Sequence, residues 1–221
     1  MSYIYPVKFF CVLFASVLLS GCHSPASSPS QPKNISDTVS IIGGGCDGCE
    51  LMYAGMPDNI GWIDTLPDWH EAGERMEVSG TVYQLDGKTP APGVILYFYH
   101  TDSKGYYSPA EGQTLARRNG HIRGWVKTNA PGAYKIYTNK PAHYPGTHIP
   151  AHIHIVVKEP GKNEYYIDEY EFEGDSLLTQ QQELRMEKRG GQGVVKLTKD
   201  ANAMLLCHRE IILGLNIPDY R

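Results

Sequence analysis

The 221-residue sequence lacks an apolar run long enough to cross a membrane as a helix, an excess of positive charge, and marked helical periodicity. Its apolar run at residues 9–19 is shorter than the roughly 20 residues that a spanning helix needs. The formal net charge is -4 at pH 7, and Lys and Arg are scattered without forming a basic stripe. The sequence therefore gives no support for a membrane-spanning helix or for nucleic-acid binding.

The N-terminal segment predicts a secretion signal. The apolar run follows Lys8 and ends in Leu-Ser-Gly-Cys at residues 19–22, which resembles a bacterial lipobox. The resemblance implies a lipoprotein signal peptide over residues 1–21 and a lipid anchor on Cys22. His23 occupies the place of an inner-membrane retention aspartate, which favours the outer membrane, facing the periplasm or the cell surface. The alternative is a plain secretory signal in which Cys22 is incidental.

The composition changes again after the proposed anchor. Residues 22–40 are rich in Ser, Pro and Asn and nearly free of large apolar side chains, so we expect a flexible tether. Residues 41–221 are numerous enough to bury a sizeable core and are expected to form one domain.

The cysteines leave an odd number for the domain. If Cys11 is removed with the signal and Cys22 is lipidated, then Cys46, Cys49 and Cys207 remain. Three glycines precede Cys46, which predicts a flexible loop there instead of the strand-to-helix junction of a thioredoxin-like motif. A structural disulfide is favoured over redox or zinc chemistry, and Cys49 could pair with Cys46 or with Cys207.

Most of the domain has the pattern of β-strands separated by Gly and Pro. Strands are predicted at residues 76–84, 94–100, 124–127, 133–138, 152–158, 166–172, 194–197 and 204–213. Helical periodicity is weak except at residues 176–184. The fold class is therefore all-β, a sandwich or a barrel.

One stretch carries the pattern of a metal site, the sequence Tyr-Pro-Gly-Thr-His-Ile-Pro-Ala-His-Ile-His at residues 144–154. Alternate side chains of a strand share a face, so His152 and His154 point the same way while Ile153 points away. Tyr144 precedes a proline and is biased to an extended conformation that could bring its phenol over the histidines. Two imidazoles form half of a metal site, and the other half needs oxygen donors.

Two segments, residues 80–107 and 132–154, resemble the signature of the intradiol ring-cleavage dioxygenases, of the catechol and protocatechuate dioxygenase type. The similarity covers residues 78–172 and continues more weakly to residue 213. It implies a prealbumin-like β-sandwich with long loops and at most a short helix. It also implies an oxidoreductase that cleaves a catecholic ring between its hydroxyls with O2, giving a cis,cis-muconate-type product.

The same resemblance implies a ferric iron, Fe(III), held by Tyr107, Tyr144, His152 and His154. Tyr144 and His154 would be axial, and Tyr107 and His152 equatorial. Phenolate is a hard anionic donor that favours ferric iron. Tyr144 would also be the catalytic base that accepts a proton from the catechol. Tyr106 adjoins Tyr107, and a shift of one residue would exchange them.

The sequence departs from the family pattern near the site. Many members carry an arginine where this chain has Ile149, and Arg117, Arg118 or Arg123 could replace it from the preceding loop. Nothing in residues 41–74 resembles the helical dimerisation region of some members, and the oligomeric state stays open. A second function is therefore kept: a prealbumin-like sandwich lipoprotein that binds a metal or ligand without cleaving a ring.

Other histidines allow a different metal. His143 and His148 flank the predicted ligands and could join them in a zinc or copper site, but their spacing is irregular. His100 ends an aromatic strand and is expected to be a packed or rim residue. The tyrosines make ferric iron the favoured metal.

Overall fold

The computed structural model describes residues 41–110 and 118–221, all within one compact unit, Thr38–Arg221. The predicted signal peptide, the anchor at Cys22, the tether at residues 22–40 and Arg117 lie outside the described residues. No helix in the described ranges is long and apolar enough to cross a membrane.

Short strands dominate the described chain. They are β1 Ile63–Thr65, β2 Arg75–Tyr83, β3 Ile95–Tyr99, β4 Arg123–Lys127, β5 Ala133–Asn139, β6 His152–Lys158, β7 Glu164–Tyr166, β8 Tyr170–Phe172, β9 Val194–Val195, β10 Leu197–Lys199, β11 Leu205–His208 and β12 Ile211–Ile212. The described helices are α1 Gln180–Arg185 and two 3-10 turns, Cys49–Tyr53 and Pro67–His70.

The strands form two sheets. One has the order β1-β5-β2-β11-β10, with β12 also pairing with β2, and the other has the order β4-β3-β6-β8-β9, with β7 also pairing with β6. Burial alternates along β2, whereas β3 and β6 are buried almost throughout. One apolar cluster joins both sheets and includes Val78 from β2, Phe98 from β3 and Ile153 from β6. The prediction of an all-β sandwich is confirmed.

Three predicted strands are interrupted. The prediction at residues 194–197 is wrong for residue 196, which separates β9 from β10, two strands of different sheets. The prediction at residues 166–172 is wrong for residues 167–169, because the Asp168 carboxylate accepts hydrogen bonds from the backbone N–H groups of Lys188 and Arg189. The prediction at residues 204–213 breaks at Arg209, whose carbonyl accepts a hydrogen bond from the Tyr134 hydroxyl at 2.7 Å. At residues 168 and 209 the interruption therefore coincides with a hydrogen bond between a side chain and the backbone of a distant segment.

The remaining differences are at element ends and in one strand that the sequence does not predict. The helix predicted at residues 176–184 begins later, because Thr179 and Gln182 form a capping box at its N-terminus. The strand β1 was not predicted, since three residues at a sheet edge carry too short a pattern. The site depends chiefly on β6, which lies between β3 and β8.

Candidate metal centre

The two predicted histidine ligands begin β6 and share a face of the sheet, as predicted. The Nε2 atoms of His152 and His154 lie 3.1 Å apart. His152 is buried, and the His154 side chain is 22% exposed. Pairing of β6 with β3 and β8 fixes both backbones.

The two predicted tyrosine ligands come from loops beside this strand. The Tyr107 and Tyr144 hydroxyl oxygens are 2.6 Å apart, and the Tyr144 oxygen lies 3.2 Å from Nε2 of His152 and 3.3 Å from Nε2 of His154. The structure thus brings all four predicted side chains together. Whether they bind a metal stays a prediction.

A glycine allows the two loops to approach. Gly105 has φ +85°, and a Cβ there would collide with the carbonyl oxygen of His143. The close contact between backbones therefore requires glycine. Tyr106, the rival of Tyr107, is 57% exposed, and it is Tyr107 whose hydroxyl meets Tyr144.

The contacts of the imidazoles assign their tautomers. Nδ1 of His152 lies 2.7 Å from the Pro150 carbonyl oxygen, and Nδ1 of His154 lies 3.2 Å from Oε1 of Glu169. Both partners are acceptors, so in each neutral ring the hydrogen is on Nδ1 and the lone pair is on Nε2. Two lone pairs therefore face each other at 3.1 Å, an arrangement that a bound cation would stabilise.

The electrostatics of the centre also favour a cation. Burial, the hydrogen bond to Tyr144 and nearby charges raise the pKa of Tyr107, and burial raises that of Tyr144. Burial and the neighbouring His154 lower the pKa of His152. Burial opposes ionisation of Glu169, but its contacts with the histidines outweigh this and lower its pKa to about 2. The phenols thus need a nearby positive charge to ionise at neutral pH.

The donor set fits ferric iron better than zinc. Two phenol oxygens and two imidazole nitrogens are hard and borderline donors suited to a trivalent ion. In residues 41–110 and 118–221, no group of three or more His, Cys, Asp or Glu side chains is arranged to hold a metal ion. His143 and His148 are exposed, so the zinc or copper alternative gains no support.

A pocket of about 380 Å³ lies beside the centre. Tyr107, Tyr144 and His154 line one side of it, and Tyr99 and Glu169 also face it. The loop at residues 46–49 forms another part of its wall. Its size suits a small aromatic molecule next to the four donors.

The alternative arginines occupy different places. Arg118 lines the pocket and binds the Asp47 carboxylate with both terminal nitrogens. Arg123 lies over the Trp125 ring, 5.7 Å from its centroid. Ile149 is 45% exposed. Of the two described candidates, Arg118 is the one beside the centre.

The disulfide belongs to the pocket wall. Cys46 and Cys49 are bonded, and Cys207 is a buried free thiol, which resolves the two pairings. The expectation of a plain loop is wrong at its end, because Cys49 begins a 3-10 turn. The Trp125 indole N–H fixes this turn by donating to the Met52 carbonyl at 2.7 Å.

Sequence reasoning missed Tyr99 and Glu169 as members of the site. Tyr99 stacks on His154 with ring centroids 4.4 Å apart, and it opposes His154 in the β3–β6 register. Glu169 directly precedes β8, whose Tyr170 pairs with Ile153. Only the pairing of strands could have identified either residue.

Comparisons with known proteins agree with this geometry. A family model described as Dioxygenase matches residues 63–204. Catechol 1,2-dioxygenase 1 of Acinetobacter lwoffii is 33% identical over 137 residues, which are 55% of this chain and 42% of that protein. The chain thus corresponds to less than half of that relative's length.

Solved structures share the fold. The dioxygenase domain of a dioxygenase carbohydrate-binding fusion from Streptomyces sp. SirexAA-E is 21% identical, with a TM-score of 0.51 over 72% of this chain and 92% of that one. Wild-type catechol 1,2-dioxygenase of Acinetobacter radioresistens is also 21% identical, with a TM-score of 0.56 over 72% of this chain and 58% of that one. With the family model covering more than half of the sequence, the chain belongs to the intradiol dioxygenase family.

Proposed function

We propose that this protein is a non-haem ferric dioxygenase that cleaves a catecholic ring between its two hydroxyls with O2. The product would be of the cis,cis-muconate type. The observation that carries the proposal is the convergence of the phenol oxygens of Tyr107 and Tyr144 with Nε2 of His152 and His154. Membership of the intradiol dioxygenase family supports it.

These four side chains would hold the iron. When bound, ferric iron would act as a Lewis acid that lowers the pKa of the catechol hydroxyls and makes the ring reactive towards O2. The Nδ1 contacts of His152 and His154 keep both Nε2 lone pairs directed at the centre. The two phenols supply negative charge once ionised.

Tyr144 is assigned a second role as a base. Its oxygen is central, within 3.3 Å of the Tyr107 oxygen and both Nε2 atoms, and its side chain lines the pocket. A phenolate at this oxygen can accept a proton from a substrate hydroxyl. The pocket would hold the ring beside that oxygen, and the loop at residues 46–49, which lines it, would limit the size of the ring.

The test combines metal analysis, the visible spectrum and oxygen uptake across a panel of catechols. We expect stoichiometric ferric iron, a red to purple colour from phenolate-to-iron charge transfer, and oxygen uptake with at least one catechol. Tyr144→Phe should weaken and shift the colour and lose oxygen uptake, and His152→Ala should lower the iron content and lose uptake. Colourless protein with stoichiometric zinc would contradict the proposal.

A second candidate is a sandwich that binds a metal or ligand without cleaving a ring. Ile149, in the place where many family members have arginine, favours it. The same panel separates the two functions. Protein that is coloured and shifts its spectrum with catechol, but consumes no oxygen, would support the binding function.

We also propose that the domain is tethered through lipid on Cys22 to a bacterial membrane. His23, in the place of an inner-membrane retention aspartate, favours the outer membrane. The proposal rests on the Leu-Ser-Gly-Cys sequence at residues 19–22 and on the polar composition of residues 22–40. Metabolic labelling with palmitate should mark the protein, and Cys22→Ala should abolish the label. Equal labelling of the variant would contradict the anchor.

A further inference from the structure

Glu169 lies next to the proposed centre without being one of its four ligands. It directly precedes β8, and the register that pairs Ile153 with Tyr170 places Glu169 opposite His154. Opposed residues of antiparallel strands share a face. The Glu169 side chain is 42% exposed, and its Oε1 lies 3.2 Å from Nδ1 of His154.

The two histidines have different partners. Nδ1 of His152 donates to a neutral acceptor, the Pro150 carbonyl, at 2.7 Å. Nδ1 of His154 faces a carboxylate, and hydrogen bonds to charged acceptors are the stronger kind. A carboxylate partner also makes an imidazole a better metal ligand. His154 is therefore held in one tautomer by the stronger partner.

Tyr99 limits the remaining freedom of the His154 ring. The two rings stack with their centroids 4.4 Å apart and an angle of 15° between their planes. Stacking restrains tilting of the imidazole, and the contact with Glu169 restrains rotation that would exchange Nδ1 and Nε2. Together they direct Nε2 towards the Tyr144 oxygen, 3.3 Å away.

The charge of Glu169 also matches the proposed metal. Two phenolates leave one positive charge of a trivalent ion uncompensated. The Glu169 carboxylate, in contact with the ligand His154, would supply the negative charge that compensates it. The neutral Pro150 carbonyl beside His152 does not.

We propose that Glu169 is a positioning residue: it fixes the Nδ1-protonated tautomer and the orientation of His154, and so increases the affinity of the centre for ferric iron. The affinity part rests on the proposed function. The tautomer part concerns the metal-free protein.

Two variants separate the contributions of Glu169. Glu169→Gln keeps an acceptor oxygen for Nδ1 but removes the charge, and Glu169→Leu removes both. The matched control is Glu173→Gln, which neutralises an exposed carboxylate on the same segment. Melting of each metal-free protein reports any general loss of stability.

The first measurement is the tautomer of His154 by long-range nitrogen–proton correlation NMR, on metal-free protein in mildly alkaline buffer. The wild type should carry the hydrogen on Nδ1, and Glu169→Leu should populate the Nε2-protonated form. A wild-type ring with its hydrogen on Nε2 would overturn the proposal.

The second measurement is iron retention during a chelator challenge, followed by the charge-transfer band. Losing the hydrogen-bond partner of a metal ligand weakens metal binding by about 10- to 100-fold. The iron affinity of Glu169→Leu should therefore fall by an amount in that range, and the affinity of Glu169→Gln should lie between those of Glu169→Leu and the wild type. If Glu169→Leu retained as much iron as the wild type, the affinity role would be overturned, whether or not its melting temperature had fallen. A wild type that binds no ferric iron would instead refute the proposed function and the affinity role together, leaving the tautomer result to stand alone.

Discussion

At the scale of single residues, the candidate metal centre consists of two phenol oxygens and two imidazole nitrogens. The Tyr144 oxygen is the central donor atom, since it contacts Tyr107, His152 and His154. Adjacent residues differ sharply in role, because Tyr106 is 57% exposed while the hydroxyl of its neighbour reaches the centre. Substitutions at neighbouring positions are therefore informative.

The pair of adjacent tyrosines gives the first prediction. Tyr107→Phe removes one phenolate donor and should reduce ring-cleavage activity by at least about 100-fold, exceeding the effect of losing an outer partner. The charge-transfer band should weaken and shift. Tyr106→Phe, the control, should retain iron, colour and activity. Equal effects of the two substitutions would contradict the assignment of Tyr107.

A carboxylate beside the centre gives a prediction on pH. Burial, with repulsion from Glu169 and Asp168, raises the pKa of Glu171 to about 7, and its Oε2 is a buried atom without a hydrogen-bond partner. The pKa of Glu171 is higher in the folded protein than in the unfolded chain, so the folded protein binds this proton more tightly. The free energy of unfolding therefore falls as the pH rises through about 7.

Glu171→Gln should therefore raise the melting temperature of the metal-free protein by about 2 °C above pH 7 and change it little near about pH 5. Calorimetry at both values checks this. Glu173→Gln, at an exposed position, should change neither melting temperature. A benefit from Glu171→Gln that is equal at both pH values would argue against the raised pKa.

Short segments decide the shape of the pocket at the scale of elements. β6 presents the histidines, and the tyrosines come from the loop after β3 and the loop before β6. Another part of the pocket wall is the disulfide loop Cys46–Cys49 and the 3-10 turn that begins at Cys49. The Arg118 guanidinium binds Asp47 within this loop, so the wall has a covalent and an ionic restraint.

The disulfide prediction concerns both stability and substrate size. Replacing Cys46 and Cys49 together by Ser should cost about 2 kcal/mol of unfolding free energy, because the closed loop is short. The freed wall should also accept catechols with bulkier ring substituents, seen as a lower KM for these relative to catechol. Denaturant unfolding and oxygen-uptake kinetics measure the two effects.

The control for the disulfide is Cys207→Ala. Burial raises the pKa of the Cys207 thiol to about 12, and the residue lies in β11, away from the pocket wall. This variant should leave the relative KM values unchanged. If it alters substrate preference as much as the loop variant does, the wall is not what selects substrates.

At the scale of the whole molecule, a buried polar network connects the two sheets. Thr138 in β5 of one sheet donates to the Asp68 carboxylate at 2.8 Å, and its hydroxyl lies 2.7 Å from Nε2 of His100, which follows β3 of the other. Nδ1 of His100 contacts the Thr101 carbonyl at 2.7 Å. His100 is thus a packed residue, as expected from its sequence position.

Removing the central hydroxyl of this network should destabilise the domain. Thr138→Val keeps the shape but leaves buried polar partners unsatisfied, so we expect a loss of about 2 kcal/mol in unfolding free energy. Urea unfolding measures it. Thr198→Val, an exposed Thr in β10, is the control and should change stability little. Similar values for both would mean that the network contributes little.

The local sequence determined the strands and the ligand types. Alternation at residues 76–84 and the spacing of His152 and His154 act over a few bonds, so they could be read without knowing the fold. The resemblance to the intradiol dioxygenases added Tyr107, whose distance along the chain from Tyr144 gives no local signal.

Only the tertiary structure decided what depends on contacts between distant segments. Spacing alone allowed two partners for Cys49, and the fold resolved the choice by burying Cys207 in β11 as a free thiol while Cys46 bonds Cys49. It divided the strand predicted at residues 166–172, where the Asp168 carboxylate bonds the backbone of residues 188 and 189. It also brought Glu169 to His154, because β8 pairs with β6. Side-chain hydrogen bonds and strand registers form between residues far apart in sequence, and no local pattern encodes them.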